Sequence, residues 1–293
     1  MIGSNTRLLG IIGWPVSHSR SPAMHNAAIA ALGLDYVYLP LAVAPDQVGG
    51  AVRGLSALGF AGANVTVPHK VTVMRFLDGT SPVARAAGAA NTLVVHADGT
   101  VWGDNTDGAG FLADLRAHGV EVTGRQILLL GAGGAARSVA HALADAGAGI
   151  AIANRTLVKA QELCHSVRTL HEGARAAAYR YPEDLPGLAE RADLIVNATS
   201  LGSHGQPGLP WPASVTFRPG QAVYDLVYTP AGKDPEPNGF LRLAASQGAS
   251  TMDGLGMLLH QGARAFEIWT GQPAPIDVMR QALLGSGQGA NGA

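Results

Sequence analysis

The feature that most constrains the fold is a glycine-rich segment in the middle of the chain. A short apolar run, residues 126–130, leads directly into Gly131-x-Gly133-x-x-Ala136. In dinucleotide-binding proteins the first glycine allows a tight turn, and the second lets the backbone approach a diphosphate. The small third residue packs a helix on the strand, and the helix N-terminus favours the anionic ligand. This context predicts a dinucleotide site, with a plain glycine-rich turn between strand and helix as the alternative.

Strand-like apolar runs alternate with helical patterns along the whole chain, which is typical of an α/β fold with a largely parallel sheet. Two domains are therefore expected, the first ending near residue 106 and the nucleotide domain covering residues 107–252. The pattern predicts helices over 157–170, 255–270 and 276–284, and a further helix with Ser21 as its N-cap. We expect the small, polar tail 285–293 to be disordered.

Charge and cysteine content exclude several functions. The chain has 20 basic and 21 acidic residues and no long basic stripe, so neither nucleic acid nor a membrane is an expected partner. Its one cysteine, Cys164, excludes an intramolecular disulfide and zinc sites built on cysteine pairs, and no metal site is expected. No signal or membrane-spanning segment is evident, so the expected location is cytoplasmic. The sequence does not determine the oligomeric state, although a homodimer is compatible with it.

The residues after the second strand of the nucleotide domain indicate the type of cofactor. NAD-dependent enzymes usually place an acidic residue there, which binds the ribose 2′-hydroxyl. This chain instead has Asn154, Arg155 and Thr156, followed one helical turn later by Lys159. A guanidinium, a hydroxyl and an ammonium suit the 2′-phosphate of NADP. The alternative is a solvated basic helix start, but basic residues there oppose the helix dipole, which favours NADP(H).

Two residues near the end of β-strand-like segments before the nucleotide motif, Lys70 and Asp107, are candidates for acid-base chemistry. Only three of the 20 basic residues are lysines, and one of them is Lys70. A group that transfers a proton must be lysine rather than arginine, because guanidinium stays protonated. Asp107 lies in a second polar motif that interrupts apolar sequence. A surface lysine and a simple helix N-cap are the alternatives, but beside a nucleotide site the two residues form a credible acid-base pair.

Seven ordered motifs resemble those of the shikimate dehydrogenase family, and together they span nearly the whole chain. They are Gly13 to Pro22, Asn64 to Lys70, Gly88 to Thr92, Asn105 to Gly108, Gly131 to Arg137, Asn197 to Ser200, and Asp253 to Met257 with Gln261. The resemblance implies an N-terminal substrate-binding domain and a Rossmann-like domain with a deep cleft between them. It also implies that residues 253–284 pack on the first domain, and that the substrate binds in the cleft.

Carried over residue by residue, the resemblance assigns roles to the site residues. It implies that the substrate carboxylate is contacted by Ser19, Ser21, Thr66 and Tyr228. It implies that ring hydroxyls are bound by Asn91, Asp107 and Gln261, with Lys70 at the reacting oxygen. On the cofactor side it implies contacts by Gly131, Ala132, Gly133, Gly134, Ala135, Asn154, Arg155, Thr156, Lys159, Leu226 and Gly254. Lys70 and Asp107 would be the catalytic residues.

The implied reaction is the reversible, NADP-dependent reduction of 3-dehydroshikimate to shikimate in chorismate biosynthesis. A quinate/shikimate dehydrogenase, or a related paralogue of different substrate preference, is the alternative enzyme, and a non-catalytic regulatory module of the same fold is the alternative of another class. Two segments depart from the family pattern. Pro82 stands where many members have an acidic residue, and the segment 229–239 is longer and richer in proline than usual.

Overall fold

A computed structural model describes residues 2–202, 208–228 and 238–285 of the chain. These residues form two compact units. The first comprises residues up to Gly110 and from Leu258 onward, and the second comprises the described residues from Phe111 to Met257. These bounds lie a few residues beyond those expected from the sequence. Two predicted segments lie partly outside the described residues, namely the loop 229–239 over 229–237 and the tail 285–293 over 286–293.

The first unit is built on a mixed six-stranded sheet. Its strands are β1 (Arg7–Gly13), β2 (Tyr36–Ala42), β3 (Phe60–Val65), β4 (Gly79–Thr80), β5 (Thr92–Val95) and β6 (Val101–Asp104). Their order is β2-β1-β3-β5-β6-β4, with β1 parallel to β2 and β3, and β5 antiparallel to both neighbours. The sheet thus combines a parallel half with a hairpin, and polar residues follow the carboxyl ends of β1, β3 and β6.

Helices cover both faces of this sheet. They are α1 (Ser21–Ala31), α2 (Val48–Ala57), α3 (Pro82–Ala87), the first turn of α4 (Asp107–Ala117), most of α9 (Leu255–Thr270), and α10 (Ile276–Gly285). On one face Leu9, Met24 and Phe266 belong to a fully buried core. On the other face Ile12, Val65 and Leu93 form a second core. Apolar packing on both sides holds the sheet rigidly beneath the polar residues at its edge.

The second unit contains a parallel sheet of six strands in the order β12-β11-β10-β7-β8-β9. The strands are β7 (Gln126–Leu130), β8 (Gly149–Asn154), β9 (Arg175–Arg180), β10 (Leu194–Asn197), β11 (Ala222–Asp225) and β12 (Ser250–Met252). The helices are the rest of α4, α5 (Gly134–Asp145), α6 (Leu157–Leu170), α7 (Leu185–Arg191) and α8 (Gly239–Ser246). Strand order reverses beside β7, and open α/β sheets bind ligands at such a point.

The structure corrects several predicted elements. Arg20, not Ser21, precedes the first helix as its N-cap, and Ser21 is the first helical residue. Strand β9 and helices α7 and α8 are elements that the sequence pattern did not predict. Beyond Pro68 the chain forms only a short 3₁₀ turn, over Thr72–Phe76. Among the described residues, no helix is both long enough and apolar enough to cross a membrane.

Candidate active site

An ion pair between Lys70 and Asp107 lies in the first unit. Lys70 Nζ donates a hydrogen bond to Asp107 Oδ2 over 2.6 Å, and the side chains are 15% and 3% exposed. Lys70 follows β3 after a tight turn, and its carbonyl accepts a hydrogen bond from Ala90 N at 2.8 Å. Asp107 is the first residue of α4. Tertiary structure thus joins the two residues selected from the sequence in one largely buried pair.

The Asn91 side chain connects this pair to Gln261. Asn91 Nδ2 donates to Asp107 Oδ1 and Thr106 Oγ1, both at 2.9 Å, and to Gln261 Oε1 at 3.1 Å. Asn91 Oδ1 accepts from the Thr106 backbone at 2.8 Å. An amide oxygen has two lone pairs, so Gln261 Oε1 can accept from a ligand hydroxyl as well as from Asn91. Lys70, Asn91, Asp107 and Gln261 are therefore one hydrogen-bonded cluster of groups suited to a polyhydroxylated ligand.

Two residues support this cluster without having been assigned a role from the sequence. Tyr38 Oη donates to Asn64 Oδ1 over 2.6 Å, and Asn64 Nδ2 donates to the Asn91 carbonyl over 3.0 Å. Both side chains are buried. Asn64 begins the motif Asn64 to Lys70, which is a signal that could have identified it from the sequence. Tyr38 lies on an apolar strand, and nothing local distinguishes it from a core residue.

The three other predicted substrate contacts of the first unit lie at the carboxyl ends of neighbouring strands. Ser19 and Ser21 follow β1, and Ser19 Oγ accepts from Ser21 N over 3.2 Å. Thr66 follows β3, and its methyl group lies so close to Gly13 that a side chain there would collide with it. Strands β1 and β3 pair directly. The segments that follow these two strands therefore begin at the same edge of the sheet. Tyr228, by contrast, belongs to the second unit and is half-buried.

The glycine turn of the second unit has the backbone that the motif predicts. Gly131 has a φ of 106°, which favours glycine, and it packs against the segment after β10. A Cβ atom at Gly133 would meet nothing within 4 Å, so space lies open above the start of α5. Ala132 and Gly134 are half-buried, as is Ala135. The turn and the 12-residue helix behind it fit the diphosphate of a dinucleotide.

Exposed cations follow β8. Asn154 Nδ2 donates to the Thr156 carbonyl over 2.8 Å, and Arg155, Thr156 and Lys159 are exposed. Because β9 pairs with β8, Asn154 lies opposite Arg180, another exposed basic residue. Arg180 was not predicted, since its strand was not. Exposed basic side chains around the start of α6 are unfavourable for the helix itself, and they suit a phosphate ligand.

Leu226 and Gly254 contact each other in the second unit. A side chain at position 254 would collide with the Leu226 carbonyl, so this approach of two backbones requires glycine. Leu226 N also donates to the Asn197 carbonyl over 2.9 Å. Both residues follow the carboxyl ends of their strands, on the edge that also carries Gly131. The residues expected to bind NADP thus fit that cofactor in backbone conformation and in charge.

In the described part of the chain, no group of three or more His, Cys, Asp or Glu side chains could hold a metal ion. A Rossmann-like unit with a basic cofactor edge, together with a buried lysine–carboxylate pair among amides, defines a dinucleotide-dependent oxidoreductase. Its two α/β units separate the groups for the nucleotide from those for a polar substrate.

Comparisons with known proteins identify the family. Profiles of three domains match the chain: the shikimate dehydrogenase substrate-binding domain at residues 11–93, shikimate/quinate 5-dehydrogenase at 113–204, and the shikimate 5′-dehydrogenase C-terminal domain at 254–284. The NADP(+)-dependent shikimate dehydrogenase of Rubrobacter xylanophilus is 48% identical over 290 residues, covering 98% of both chains. The chain therefore belongs to the shikimate dehydrogenase family.

Solved structures agree with this assignment. Shikimate 5-dehydrogenase from Thermus thermophilus, in complex with NADP(H) and shikimate, is 37% identical with a TM-score of 0.81, covering 96% of this chain and 99% of that one. Quinate dehydrogenase from Corynebacterium glutamicum, in complex with NAD, is 30% identical with a TM-score of 0.83 and the same coverage. The predictions of family, fold class, enzyme class and NADP as cofactor are confirmed.

Proposed function

We propose that this enzyme catalyses the reversible reduction of 3-dehydroshikimate to shikimate, with Lys70 as the acid-base group. The observation that carries the proposal is the ion pair from Lys70 to Asp107 at 2.6 Å, bonded through Asn91 to Gln261. A ketone carbon that accepts a hydride leaves an alkoxide, which needs a positioned proton donor. In the described part of the first unit, Lys70 is the lysine that meets this need.

The polar residues around Lys70 would orient the substrate. The hydroxyls of Ser19, Ser21 and Thr66 suit its carboxylate, as does that of Tyr228. Asn91, Asp107 and Gln261 offer amide and carboxylate groups to the ring hydroxyls. Because Asp107 and Asn91 are buried and already hydrogen-bonded, little reorganisation is needed when the substrate arrives.

Proton transfer follows from the chemistry of the pair. When bound, NADPH supplies the hydride to the carbonyl carbon. The Lys70 ammonium gives one proton to the carbonyl oxygen and becomes a neutral amine, while the Asp107 carboxylate fixes the direction of its Nζ. In the reverse reaction the neutral amine of Lys70 accepts the hydroxyl proton of shikimate. A guanidinium at this position would hold its proton too tightly for either direction.

The second unit would bind the cofactor. Backbone N–H groups of the turn from Gly131 to Ala135 suit the diphosphate, and Leu226 and Gly254 shape the same edge farther along. Arg155 and Lys159 would bind the 2′-phosphate with Thr156 and Asn154. These roles rest on residue chemistry and on the position of each residue at the sheet edge. The domain boundaries, the homodimer and the cytoplasmic location stay predictions.

Replacement of Lys70 tests the proposal. Lys70→Met removes the proton donor, and the expected outcome is a fall in kcat on the order of 10²–10⁴-fold. Lys70→Arg keeps a positive charge beside Asp107 but transfers no proton, so it is also expected to be nearly inactive. The affinity for NADPH, measured by its fluorescence, should be unchanged in both variants. A Lys70→Arg enzyme with near-normal kcat would reduce the role of Lys70 to that of a charge.

A preference for quinate is the second candidate function. The profile at residues 113–204 covers both shikimate and quinate enzymes, and the Corynebacterium glutamicum relative is a quinate dehydrogenase with NAD bound. Arg155 and Lys159 favour NADP over NAD, so we place shikimate first. Turnover of quinate at a rate comparable to that of shikimate would reverse this order.

A further inference from the structure

Asp225 is a buried carboxylate without a cationic partner among the described residues. It ends β11 and is 0% exposed. Its Oδ1 accepts from Asn197 Nδ2 at 2.8 Å and from Val227 N at 2.9 Å, and its Oδ2 accepts from Asn238 Nδ2 at 2.7 Å. All three donors are neutral. One carboxylate therefore joins three different segments at the carboxyl edge of the parallel sheet.

Two of these donors are themselves the centres of local turns. Asn197 ends β10, and its Oδ1 accepts from Thr199 N at 3.0 Å and from Thr199 Oγ1 at 2.7 Å. Asn238 is the N-cap of α8, where its Oδ1 accepts from Leu241 N at 3.0 Å. Each amide thus uses its oxygen for its own turn and its nitrogen for Asp225. Rotating either amide to suit a different neighbour would break that turn.

The segments joined in this way carry residues that the proposed function uses. Leu226 lies between Asp225 and Val227, and Tyr228 follows. The Leu226 carbonyl lies against Gly254 without room for a side chain. A shift of the backbone after β11 would therefore displace Leu226, Tyr228 and Gly254 together.

Keeping a carboxylate here costs stability. Burial raises the pKa of Asp225 to about 6 from an ordinary value of 3.8, so the charged form is disfavoured in the folded protein. Asp253 is the other charged group that acts on it, and it acts in the same direction. A neutral amide would avoid this cost but would offer a donor where only donors face it. The charge is therefore explained by the need for both side-chain oxygens of Asp225 to accept hydrogen bonds.

We propose that Asp225 is a positioning residue for the cofactor: its carboxylate holds the segment Leu226 to Tyr228 and the turn after Asn197 in the arrangement that binds NADP(H). Asp225 itself contacts neither cofactor nor substrate in this account. The inference rests on the proposed function for the assignment of Leu226 and Gly254 to the cofactor site.

Three variants test the inference by exchanging donor and acceptor. Asp225→Asn keeps the size of the side chain but replaces the oxygen that accepts from Asn238 with an amide nitrogen, which is a donor. Asn238→Asp leaves two carboxylates facing each other. Each single variant is expected to raise the KM for NADP on the order of 10-fold, since a hydrogen bond to a charged group is lost. The double variant combines Asp225→Asn with Asn238→Asp. Its amide at position 225 donates to the carboxylate at position 238, and that carboxylate still caps α8. This double variant is expected to recover a KM within about 3-fold of wild type.

A control separates positioning from general stability. Asp114 is another buried carboxylate of the second unit, where it accepts from Tyr224 Oη at 2.6 Å. Asp114→Asn is expected to lower the melting temperature while leaving the KM for NADP unchanged. The inference is overturned if Asp225→Asn behaves in the same way, or if the double variant binds NADP no better than the single ones.

A further variant covers the case in which Asp225→Asn does not fold. Asn238→Ser keeps a good N-cap for α8 and removes only the amide that donates to Asp225. A KM for NADP raised several-fold supports positioning, and an unchanged KM overturns it. The dissociation constant of NADPH is measured in parallel by fluorescence. If the wild-type enzyme binds NADPH but does not oxidise shikimate, the proposed function fails, and the binding data still decide the role of Asp225.

Discussion

The two units present their functional groups in opposite ways. In the first, the proposed reactive groups are side chains, and Asp107, Asn91 and Gln261 are buried in a hydrogen-bonded cluster with Lys70. In the second, the proposed cofactor edge is formed by backbone at Gly131 and by exposed side chains such as Arg155 and Lys159. A mixed sheet carries the first arrangement, and a parallel sheet carries the second.

This difference reflects what each ligand requires. A diphosphate needs N–H groups and positive charge, which a helix N-terminus and surface cations supply without burial. A proton transfer needs one group at one place, and burial of its neighbours keeps competing water away and fixes its direction. Changes in the first unit should therefore reduce turnover, whereas changes in the second should weaken cofactor binding.

Among variants that leave Lys70 in place, the largest effect is expected for Asp107→Asn. The variant keeps an acceptor for Asn91 but faces the Lys70 ammonium with an amide donor, so the ion pair is lost. A charge-assisted hydrogen bond contributes roughly 1.5–3 kcal/mol, and kcat/KM for shikimate should fall on the order of 10- to 150-fold. Steady-state kinetics at saturating NADP measure this change. Asp98→Asn, in an exposed turn of the same unit, serves as control, and an equal effect there would refute the assignment.

A smaller and different effect is expected for Arg155→Gln. Loss of the guanidinium should raise the KM for NADP about 10- to 100-fold, because one charge-assisted contact to the 2′-phosphate disappears. Turnover with NAD, which lacks that phosphate, should stay as it is. The matched control is Arg175→Gln, since Arg175 is also exposed but lies at the start of β9, at the opposite edge of the sheet from Arg155. Equal losses with NADP and NAD would indicate that Arg155 does not recognise the 2′-phosphate.

A fall in pH should lower the unfolding free energy of the first unit more than that of the second. Burial lowers the pKa of His25 to about 3 from 6.5, so between these values the unfolded chain binds a proton that the folded one does not. The unfolding free energy then falls by up to about 1.4 kcal/mol per pH unit as the pH drops below 6.5. His141 in the second unit, with its pKa lowered to about 4 mainly by burial, acts in the same direction. Asp225 partly offsets it, since its raised pKa favours the folded state at low pH.

Hydrogen exchange of each unit between pH 7 and pH 4 measures this contrast. His25→Phe keeps an aromatic ring against Tyr38, on which His25 stacks at 4.3 Å, and it removes the titrating group. The pH dependence of the first unit should become flatter in this variant, whatever its absolute stability. An unchanged slope would show that other groups cause the loss of stability in acid.

The smallest effect is expected at Cys164. Burial raises the pKa of its thiol to about 11 from 9.0, so at pH 8 the reactive thiolate is about 100-fold scarcer than for an ordinary cysteine. Treatment with iodoacetamide should therefore leave activity unchanged and the residue unlabelled by mass spectrometry. Rapid labelling of the native enzyme would mean that the second unit opens there more readily than its packing indicates.

Strong periodicity and local motifs could be read from the sequence. The helices over 157–170 and 255–270 have the predicted bounds, because a clear apolar face repeats along each. Strand β9 was missed because its sequence, Arg-Ala-Ala-Ala-Tyr-Arg, lacks the branched side chains that mark strands. The glycine turn was predicted from spacing alone, since its backbone chemistry is local.

The substrate side could not be derived in the same way. The motifs identify Lys70 and Asp107, but only the tertiary structure shows that they form a hydrogen-bonded ion pair. Tyr38 reaches the cluster through Asn64, across 26 residues of sequence. Asp225 ends an ordinary apolar strand, and two of its three donors, Asn197 and Asn238, come from segments that no local pattern connects to it. Interactions between distant segments carry this information, and a single sequence does not reveal them.

The most direct test of the account is a four-way assay of the purified enzyme with shikimate or quinate, each with NADP or NAD, following the formation of reduced nicotinamide. The buried Lys70–Asp107 pair and the basic edge at Arg155 predict efficient turnover with shikimate and NADP, and much weaker turnover in the other three combinations. Efficient turnover of quinate with NAD, and little with shikimate and NADP, would contradict the assigned substrate and the role of Arg155 together.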